Sequence, residues 1–277
     1  MKNKKDLNLF KEVVHPENIV QVAAGWDFTL AVDDQGQVYG CGSNVFGQLG
    51  LGKEVKDVSE FMKISQITEK VVKVSAGMRH SLLLTEQGQL YACGSGKKGQ
   101  FCNESDEIKI NQFTPVPIKF DKKIKDIQTG QNFSVIIFTD GTFRAFGDDR
   151  HGQISSVNNF RDYNQVSQIQ VGWTHVLFLL KTGHIQAYGR SDYGQISVRQ
   201  NNLKFQQISS GYEHCLAISD QQNLYSWGWN EHGNCGLGHV DDVFEPTLID
   251  FEGKYHVIRC FAGSGHSFVI LQKRPNE

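Results

Sequence analysis

The stretch from Trp227 to Gly236 reads Trp-Gly-Trp-Asn-Glu-His-Gly-Asn-Cys-Gly and contains the pattern that decides the fold. Two glycines stand five residues apart, a large apolar residue precedes the first, and a side-chain amide follows the second. The same frame recurs four times earlier, with glycine pairs at Gly42 and Gly47, Gly94 and Gly99, Gly147 and Gly152, and Gly189 and Gly194. The chain is therefore a repeat protein.

Each glycine pair follows a leading glycine at a fixed distance. The leading glycine stands 17 residues before the pair in all five copies, and these positions are Gly25, Gly77, Gly130, Gly172 and Gly211, with Gly263 opening a sixth copy. A further glycine stands 11 residues after the leading one in four copies, where a hairpin turn with positive φ is expected. The fifth copy has Gln222-Asn223 there, and we expect Asn223 to adopt the left-handed conformation.

The segments between these glycines are short, apolar and rich in β-branched or aromatic residues, which predicts strands, as at Thr29–Val32 and Val38–Cys41. From the first paired glycine to the next leading glycine the distances are 35, 36, 25, 22 and 35 residues, so copies three and four are trimmed in their outer connection. Four-stranded antiparallel sheets at this period, without helical patterning, predict an all-β protein of the β-propeller type.

The repeats run without a linker, which predicts a single propeller domain over residues 18–271, followed by a tail at 272–277. Residues 1–17 form an N-terminal segment that lacks the glycine frame, and Leu7–Val14 is a candidate closing strand. Six blades are predicted, with seven as the alternative. The net charge of −2 offers no basic field for nucleic acid or an anionic membrane. Six cysteines without a C-x-x-C pair indicate reduced thiols, and hence a cytoplasmic, also nuclear, protein.

Several motifs are better explained by the repeat than by chemistry. Gly94–Gly99 has the spacing of a dinucleotide-binding loop, but a βαβ unit is missing. The histidines three places after the leading glycines alternate with phenylalanine, which predicts buried rings hydrogen-bonded to backbone. Four residues could suggest a zinc site, namely His214, His232, Cys235 and His239. The repeat already accounts for two of them, because His214 is a repeat residue and Cys235 stands at the position of Leu49. We therefore expect no enzyme, no metal and no cofactor.

The candidate functional residues lie in two sets of turns that should gather at the faces of the ring. Aromatic residues mixed with charges there have the composition of an interface hot spot. The alternative is that the aromatic residues plug the central channel. The first set of turns follows the leading glycines, and the second lies between the paired glycines. The candidate partner-binding residues of the first set are Trp26, Asp27, Arg79, Trp173, Tyr212 and Glu213. Those of the second set are Trp229, Glu231 and His232. Trp227 is predicted to be core.

The repeats resemble the family named for the regulator of chromosome condensation. The family motif consists of an apolar strand followed by A-G-x-x-H-S, and later by G-Q-L-G. The first part is matched at Ala76–Ser81 and at Ala262–Ser267, and the second part at Gly47–Gly50. The likeness covers about residues 18–271. The resemblance implies a β-propeller, for which seven blades are usual in the family. The Trp227–Gly236 stretch is similar to the late repeat of two groups in the family: the fungal α-tubulin suppressors and the secretion-regulating guanine nucleotide exchange factors.

The two groups imply different partners. The first implies a non-catalytic adaptor or regulator of a small zinc-binding electron-carrier protein, which supports Elongator-dependent tRNA wobble-uridine modification and diphthamide synthesis. The second implies an exchange factor for a small GTPase, although no long acidic or hydrophobic insertion that could act as a wedge is evident. A chromatin-associated binding module is a further alternative that lacks the expected basic tail. A role in ultraviolet sensing through clustered tryptophans has little support, because of the four tryptophans only Trp26 and Trp173 share a repeat position. We expect a monomer or a heterodimer.

Overall fold

The computed structural model describes residues 16–101, 109–116, 120–198 and 203–274. These residues form twenty strands in six antiparallel sheets that follow one another along the chain. We number the first five sheets as blades 1 to 5 and call the last one sheet 6. The candidate closing strand at Leu7–Val14 lies outside the described residues.

Blades 1, 2 and 5 have four strands each, in sequential order from the inside outward. The strands of blade 1 are β1 Ile19–Ala24, β2 Phe28–Asp33, β3 Val38–Ser43 and β4 Asp57–Lys63. Those of blade 2 are β5 Val71–Ala76, β6 His80–Thr85, β7 Leu90–Ser95 and β8 Lys109–Pro115. Those of blade 5 are β15 Phe205–Ser210, β16 His214–Ser219, β17 Leu224–Gly228 and β18 Val243–Ile249.

The predicted four-stranded antiparallel blades are thus confirmed in three sheets, and the other sheets have fewer strands among the described residues. Blades 3 and 4 have three strands and sheet 6 has two. Blade 3 contains β9 Ile124–Thr129, β10 Phe133–Phe138 and β11 Phe143–Gly147. Blade 4 contains β12 Val166–Val171, β13 His175–Leu180 and β14 Ile185–Gly189. Sheet 6 contains β19 Tyr255–Ala262 and β20 Ser267–Lys273. The trimmed outer connections of copies three and four explain the missing strands of blades 3 and 4.

Blade 3 also contains an α-helix that the sequence pattern did not predict. Helix α1 spans Gln153–Asn159, and a 3-10 turn follows at Tyr163–Gln165. The Asp149 carboxylate accepts hydrogen bonds from the N–H groups of Ile154 and Ser155 and thereby stabilises the first turn. Seven residues are too few for a clear helical periodicity in the sequence. No helix in the described part of the chain is long and apolar enough to cross a membrane.

The hydrophobic core is divided among the interfaces between neighbouring sheets. Five clusters of buried side chains each join one sheet to the next, from blade 1 with blade 2 to blade 5 with sheet 6. The middle strands are buried on both faces, and all six residues of β6 and of β16 are buried. The continuous apolar runs that predicted burial on both faces are thus confirmed.

Glutamine side chains link the innermost strands of neighbouring sheets. Gln21 of β1 donates to the Val74 carbonyl and accepts from the Val74 N–H, at 3.2 and 3.3 Å. Gln168 bridges to Ile208 in the same way, at 2.9 and 3.0 Å. Because each amide satisfies a backbone donor and acceptor of the next sheet, it fixes the register between blades as well as their separation.

The hairpin turns between the second and third strands follow the predicted positions. Gly36, Gly88, Gly141 and Gly183 have φ of 79 to 86°. In blade 5 the prediction for Asn223 is wrong, because Gln222 takes the left-handed conformation with φ 61°. Its N–H donates to the Ser219 carbonyl at 2.9 Å, as the hairpin glycines do in their own turns. The fixed register of the hairpin therefore overrides the residue preference.

The two ends of the row of sheets expose apolar side chains. Val20 and Val22 of β1 are 67% and 58% exposed, and Phe268 and Ile270 of β20 are 55% and 51% exposed. Among the described residues no core cluster joins sheet 6 to blade 1.

Candidate functional site

Two sets of turns lie on one face of the propeller, which we call the loop face. The inner turns join the first and second strands of a sheet, and the outer turns join the third strand to the next segment. In all five blades the second residue after the leading glycine accepts a hydrogen bond from the residue after the first paired glycine, at 2.8 to 3.1 Å. Ser43 N–H to Asp27 O and Trp229 N–H to Glu213 O are two of these bonds. The two predicted sets of turns therefore form one surface.

The inner turns are also bonded to one another around the propeller axis. Four backbone hydrogen bonds of 2.8 to 3.2 Å run from each turn to the next, from Met78 to Gln131, to Trp173, to Tyr212 and to Gly263. All six leading glycines line one central cavity of about 320 Å³ beneath these turns. The inner turns thus surround the axis as a connected ring segment.

The leading glycines are required by the aromatic ring that lies three residues later. A Cβ added to Gly25 would lie 2.1 Å from Cε1 of Phe28, and one added to Gly172 would lie 2.3 Å from Cε1 of His175. Both distances are far below a van der Waals contact, so a side chain at these positions would displace the ring. The ring in turn positions the two residues between it and the glycine, which carry most of the candidate functional side chains.

Three of these side chains form an aromatic cluster at the axis, made of Trp26, Trp173 and Tyr212. Trp26 stacks on Tyr212 with ring centroids 5.5 Å apart and planes within 8°, and it lies 5.2 Å from Trp173. Trp173 and Tyr212 are 3.9 Å apart, are half-buried and line the central cavity. Trp26 keeps 55% of its surface exposed. The cluster thus closes the channel on one side and presents an aromatic face on the other.

Asp27 lies beside this cluster. Its carboxylate is exposed and accepts a hydrogen bond from Gln48 Nε2 at 3.2 Å. Burial raises the pKa of the Tyr212 phenol well above its usual range, and the Asp27 charge raises it further. Tyr212 therefore stays neutral at physiological pH, while a free carboxylate oxygen stands next to the exposed ring of Trp26.

Glu213 faces inward instead of presenting a charge to solvent. Only 7% of the residue is exposed, and its carboxylate accepts hydrogen bonds from Thr174 Oγ1 at 2.8 Å and Gln195 Nε2 at 2.7 Å. Burial raises the pKa of Glu213, although these hydrogen bonds and the Arg190 guanidinium 3.6 Å away lower it. Glu213 thereby ties the inner and outer turns of blade 4 to blade 5.

Arg79 occupies the same repeat position in blade 2, but it packs on an aromatic ring of blade 1. Its guanidinium carbon lies 4.2 Å from the centroid of Phe46, and the side chain is exposed. The neighbouring Val45 is 49% exposed. The sequence pattern did not identify Val45 and Phe46 as candidate partner-binding residues. They belong to the loop face because the outer turn of blade 1 packs against Arg79. A cation over an aromatic face with an apolar neighbour is a common interface element.

The remaining candidates lie on the outer turn of blade 5. Trp229 is half-buried and contacts the exposed His232 edge to face, with centroids 5.0 Å apart, while Glu231 is exposed. Both rings lie next to Gly265 of sheet 6. Trp227 is completely buried and donates from Nε1 to the Gln195 carbonyl at 3.0 Å, which confirms its place in the core.

The repeated histidines join neighbouring blades through serine hydroxyls, and a bond to backbone, as predicted, is found for His214 with His266 but not for His80 or His175. Nε2 of His80, His175 and His214 lies 2.7 to 3.1 Å from a serine hydroxyl of the next sheet, namely Ser134, Ser210 and Ser267. Ser267 also donates to the Asn234 carbonyl at 2.7 Å, so it must accept from His214. Burial lowers the pKa of His80 and His175 to about 3 and that of His214 to about 4, which keeps these rings neutral.

The residues weighed as zinc ligands are not gathered into a site. In the described ranges no three His, Cys, Asp or Glu side chains are placed to hold a metal ion. The five described cysteines are free thiols, and Cys102 lies outside the described residues. Burial raises the pKa of the buried thiols, as for Cys235 to about 12, so they are poor nucleophiles.

The fold defines a protein of the β-propeller class, and its candidate functional surface is built from inter-strand turns. A model of the RCC1-like domain matches residues 3–269, so the chain belongs to the RCC1-like domain family. The family resemblance seen in the repeats is thereby confirmed.

Individual relatives agree with this assignment. The chain is 30% identical to the secretion-regulating guanine nucleotide exchange factor of Mus musculus over 92% of its own length and 65% of the relative. It therefore spans just under two thirds of that protein. Human WBSCR16 has a similar structure, with a TM-score of 0.73 and 23% identity over 92% of this chain and 72% of the other. Prp20p of Saccharomyces cerevisiae has a TM-score of 0.71 and 19% identity over 93% and 83%.

Proposed function

We propose that the chain is a non-catalytic interaction module that binds a protein partner through the loop face. The exposed ring of Trp26 is the observation that carries this proposal. A tryptophan that is stacked on two further aromatic residues is rigid, and it can contribute binding energy without a large cost in side-chain entropy. The adjacent Asp27 carboxylate and the Arg79–Phe46 pair add charges of both signs on the same face.

A small GTPase is the partner that the relatives favour, because the mouse relative is named a guanine nucleotide exchange factor. An exchange factor lowers the affinity of the GTPase for its nucleotide and performs no covalent chemistry itself. A propeller face without a catalytic set can have this role, provided that it distorts the nucleotide site of the GTPase. The role therefore requires preferential binding to the nucleotide-free GTPase.

A small zinc-binding electron-carrier protein is the second candidate partner. It is favoured by the likeness of Trp227–Gly236 to the fungal α-tubulin suppressor group, with a role in Elongator-dependent tRNA modification and diphthamide synthesis. In the structure this stretch combines the buried Trp227 with the accessible Glu231 and His232. The likeness therefore concerns core as well as surface residues, and it carries less weight than the relatives do.

Affinity capture from native lysate with the full chain as bait tests the proposal. We expect recovery of one partner that is lost with Trp26→Ala and retained with Gln87→Ala, since Gln87 is an exposed residue of a hairpin turn on the opposite face. Release of the captured protein by added GTP identifies a GTPase, whereas a zinc protein that is insensitive to GTP identifies the adaptor role. Capture that is equal for both variants would contradict the loop face as the binding surface.

A further inference from the structure

In the described part of the chain no fourth strand pairs with the outer edge of blade 3, and we call this position the vacancy. In blades 1 and 2 the residue that follows the fourth strand pairs with the first residue of the third strand: Ile64 N–H donates to Val38 O and Val116 N–H donates to Leu90 O, both at 2.9 Å. Phe143 stands at the same repeat position in blade 3, 13 residues after the leading glycine. No described residue supplies an outer strand next to it.

Helix α1 fills only part of this vacancy. It packs against β11 and against β13 and β14 of blade 4. One side chain takes over a strand position: Asn158 Nδ2 donates to Ala145 O at 3.0 Å, and Ala145 N–H donates to Asn158 Oδ1 at 2.9 Å. The amide therefore imitates one residue of a fourth strand, and the rest of the edge stays uncovered by the helix.

A groove of about 620 Å³ lies at the uncovered edge. Phe120 and Lys122 form one wall, β11 forms the floor, and Asn158 and Arg161 form the other wall. The side of the groove at Phe120 is aromatic, because the half-buried rings of Phe120 and Phe146 lie 6.1 Å apart and Phe138 packs against Phe120 at 5.4 Å. The groove can therefore hold an apolar side chain.

The rim of the groove carries more positive than negative charge, because Arg144 and Arg161 line it together with the single carboxylate of Asp121 and the lysine Lys122. Arg144 and Arg161 are exposed, and no described carboxylate lies within ion-pair distance of either guanidinium. Arg161 donates to the carbonyls of Asn158 and Phe160, which holds the guanidinium in place without compensating its charge. Lys122 is paired with Asp140 at 2.7 Å. The held guanidinium of Arg161 and the exposed guanidinium of Arg144, beside aromatic rings, favour a ligand with carboxylates.

We propose that this groove binds an acidic, extended peptide segment of a protein partner. The apolar side chain of the peptide packs on Phe120 and Phe146, and its carboxylates pair with Arg144 and Arg161. The fold itself shows that the position accepts an extended segment, because seven-residue strands fill it in the three complete blades, as β4, β8 and β18. The groove lies on the perimeter of the propeller, so the peptide would leave the loop face free for the partner proposed above.

Fluorescence anisotropy with two synthetic peptides tests this site on the full chain. The probes are fluorescein-labelled Glu-Glu-Phe-Glu-Glu amide and the matched Lys-Lys-Phe-Lys-Lys amide. We expect saturable binding of the acidic probe only, which weakens as the salt concentration rises. The double variant Arg144→Gln with Arg161→Gln should bind it about ten-fold more weakly. A control with the same change of net charge at exposed positions in blade 1 and sheet 6, Lys53→Gln with Lys273→Gln, should bind it like the unaltered chain.

Equal binding of the acidic and basic probes would overturn the proposal, and so would an unchanged affinity in the arginine double variant. The absence of binding by the acidic probe at millimolar concentration would also overturn it. Because Arg144 and Arg161 are exposed, both double variants should keep the melting temperature of the unaltered chain. These outcomes are independent of the loop face, since neither arginine lies in its turns.

Discussion

Trp26 combines rigid packing with exposure more clearly than any other candidate residue. Its ring stacks on Tyr212 and contacts Trp173, yet more than half of its surface is exposed. The ring therefore contributes little burial to the fold while its orientation is fixed. A residue with these properties can be removed with a small effect on stability and a large effect on binding.

Replacement of Trp26 by alanine, alone or with Asp27→Ala, should abolish partner capture with a small change in stability. Truncation of an interface hot spot costs at least about 2 kcal/mol of binding free energy, or roughly 30-fold in affinity. The melting temperature should stay within a few degrees of the unaltered value. The measurement combines capture with thermal melting followed by circular dichroism. A chain that no longer folds would mean that this turn is structural.

Trp227 should have the opposite behaviour, because it is completely buried and bonded to the Gln195 carbonyl. Trp227→Ala should lower the free energy of unfolding by about 3–5 kcal/mol, through lost burial and the cavity left behind. Urea denaturation measures this change. Trp229→Ala is the matched control, since Trp229 is only half-buried, and its effect should be much smaller. Similar losses for both tryptophans would contradict the assignment of Trp227 to the core.

The inner turn as an element depends on the missing side chain of its leading glycine. Gly172→Ala should destabilise the chain by about 1–3 kcal/mol, because the new Cβ would meet His175 at 2.3 Å. Gly265→Ala is a suitable control, since a Cβ there would lie at least 3.4 Å from its neighbours, in ordinary contact. Chemical denaturation of both variants should separate them. Equal stability would show that the His175 ring can move aside without cost.

The buried histidines that link neighbouring blades should make stability depend on pH. Their folded pKa values are about 3 to 4, whereas an exposed histidine titrates near 6.5. Between these values the unfolded chain binds more protons, so the free energy of unfolding should fall as the pH falls from about 6.5 towards 4. Each histidine contributes up to about 1.4 kcal/mol per pH unit to the change in the free energy of unfolding with pH.

His175→Phe provides the test, because phenylalanine occupies the same repeat position as Phe28 and Phe133 in blades 1 and 3. Urea denaturation at pH 7 and at pH 5 should show a shallower loss of stability in this variant than in the unaltered chain. The loss of the bond to Ser210 will lower stability at both pH values and does not affect the comparison. Identical pH dependence would mean that His175 contributes nothing to it.

The sequence predicted the elements that the repeat fixes and missed those that depend on one copy. The spacing of the leading glycines places β1, β2 and β3 correctly, because the hairpin has the same length in every copy. Helix α1 was missed, since its formation depends on Asp149 and on the tie between Asn158 and Ala145. These contacts occur once in the chain and have no counterpart in the repeat.

In the whole molecule, the repeat likewise predicted which candidate site residues share a face, but it did not predict the direction of every side chain. Trp26, Trp173 and Tyr212 are far apart in sequence, but their common repeat position predicted that they share a face. The inward direction of Glu213 could not be predicted, because it depends on Thr174 and Gln195 of a different blade. Side-chain direction in a propeller is thus determined by contacts between blades, which a single repeat does not contain.

Protection against hydrogen exchange should differ across the whole molecule. Sheet 6 packs against blade 5 on one side, and β20 pairs only with β19 among the described strands, while its Phe268 and Ile270 are exposed. β16 is buried along its whole length. Exchange measured by mass spectrometry should therefore be faster for Ser267–Lys273 than for His214–Ser219. Equal protection would mean that sheet 6 is covered as well as the blades are.

The most direct test of the central claim, that the aromatic cluster of the loop face binds the partner, is site-specific photo-crosslinking. Val45, an exposed residue of the loop face, is replaced by benzoylphenylalanine in one chain and Gln87, on the opposite face, in another. We predict a crosslinked adduct of one defined mass at position 45, which the further change Trp26→Ala abolishes, and none at position 87. An adduct at position 87 alone, or at neither position under conditions where the unaltered chain captures its partner, would contradict the claim.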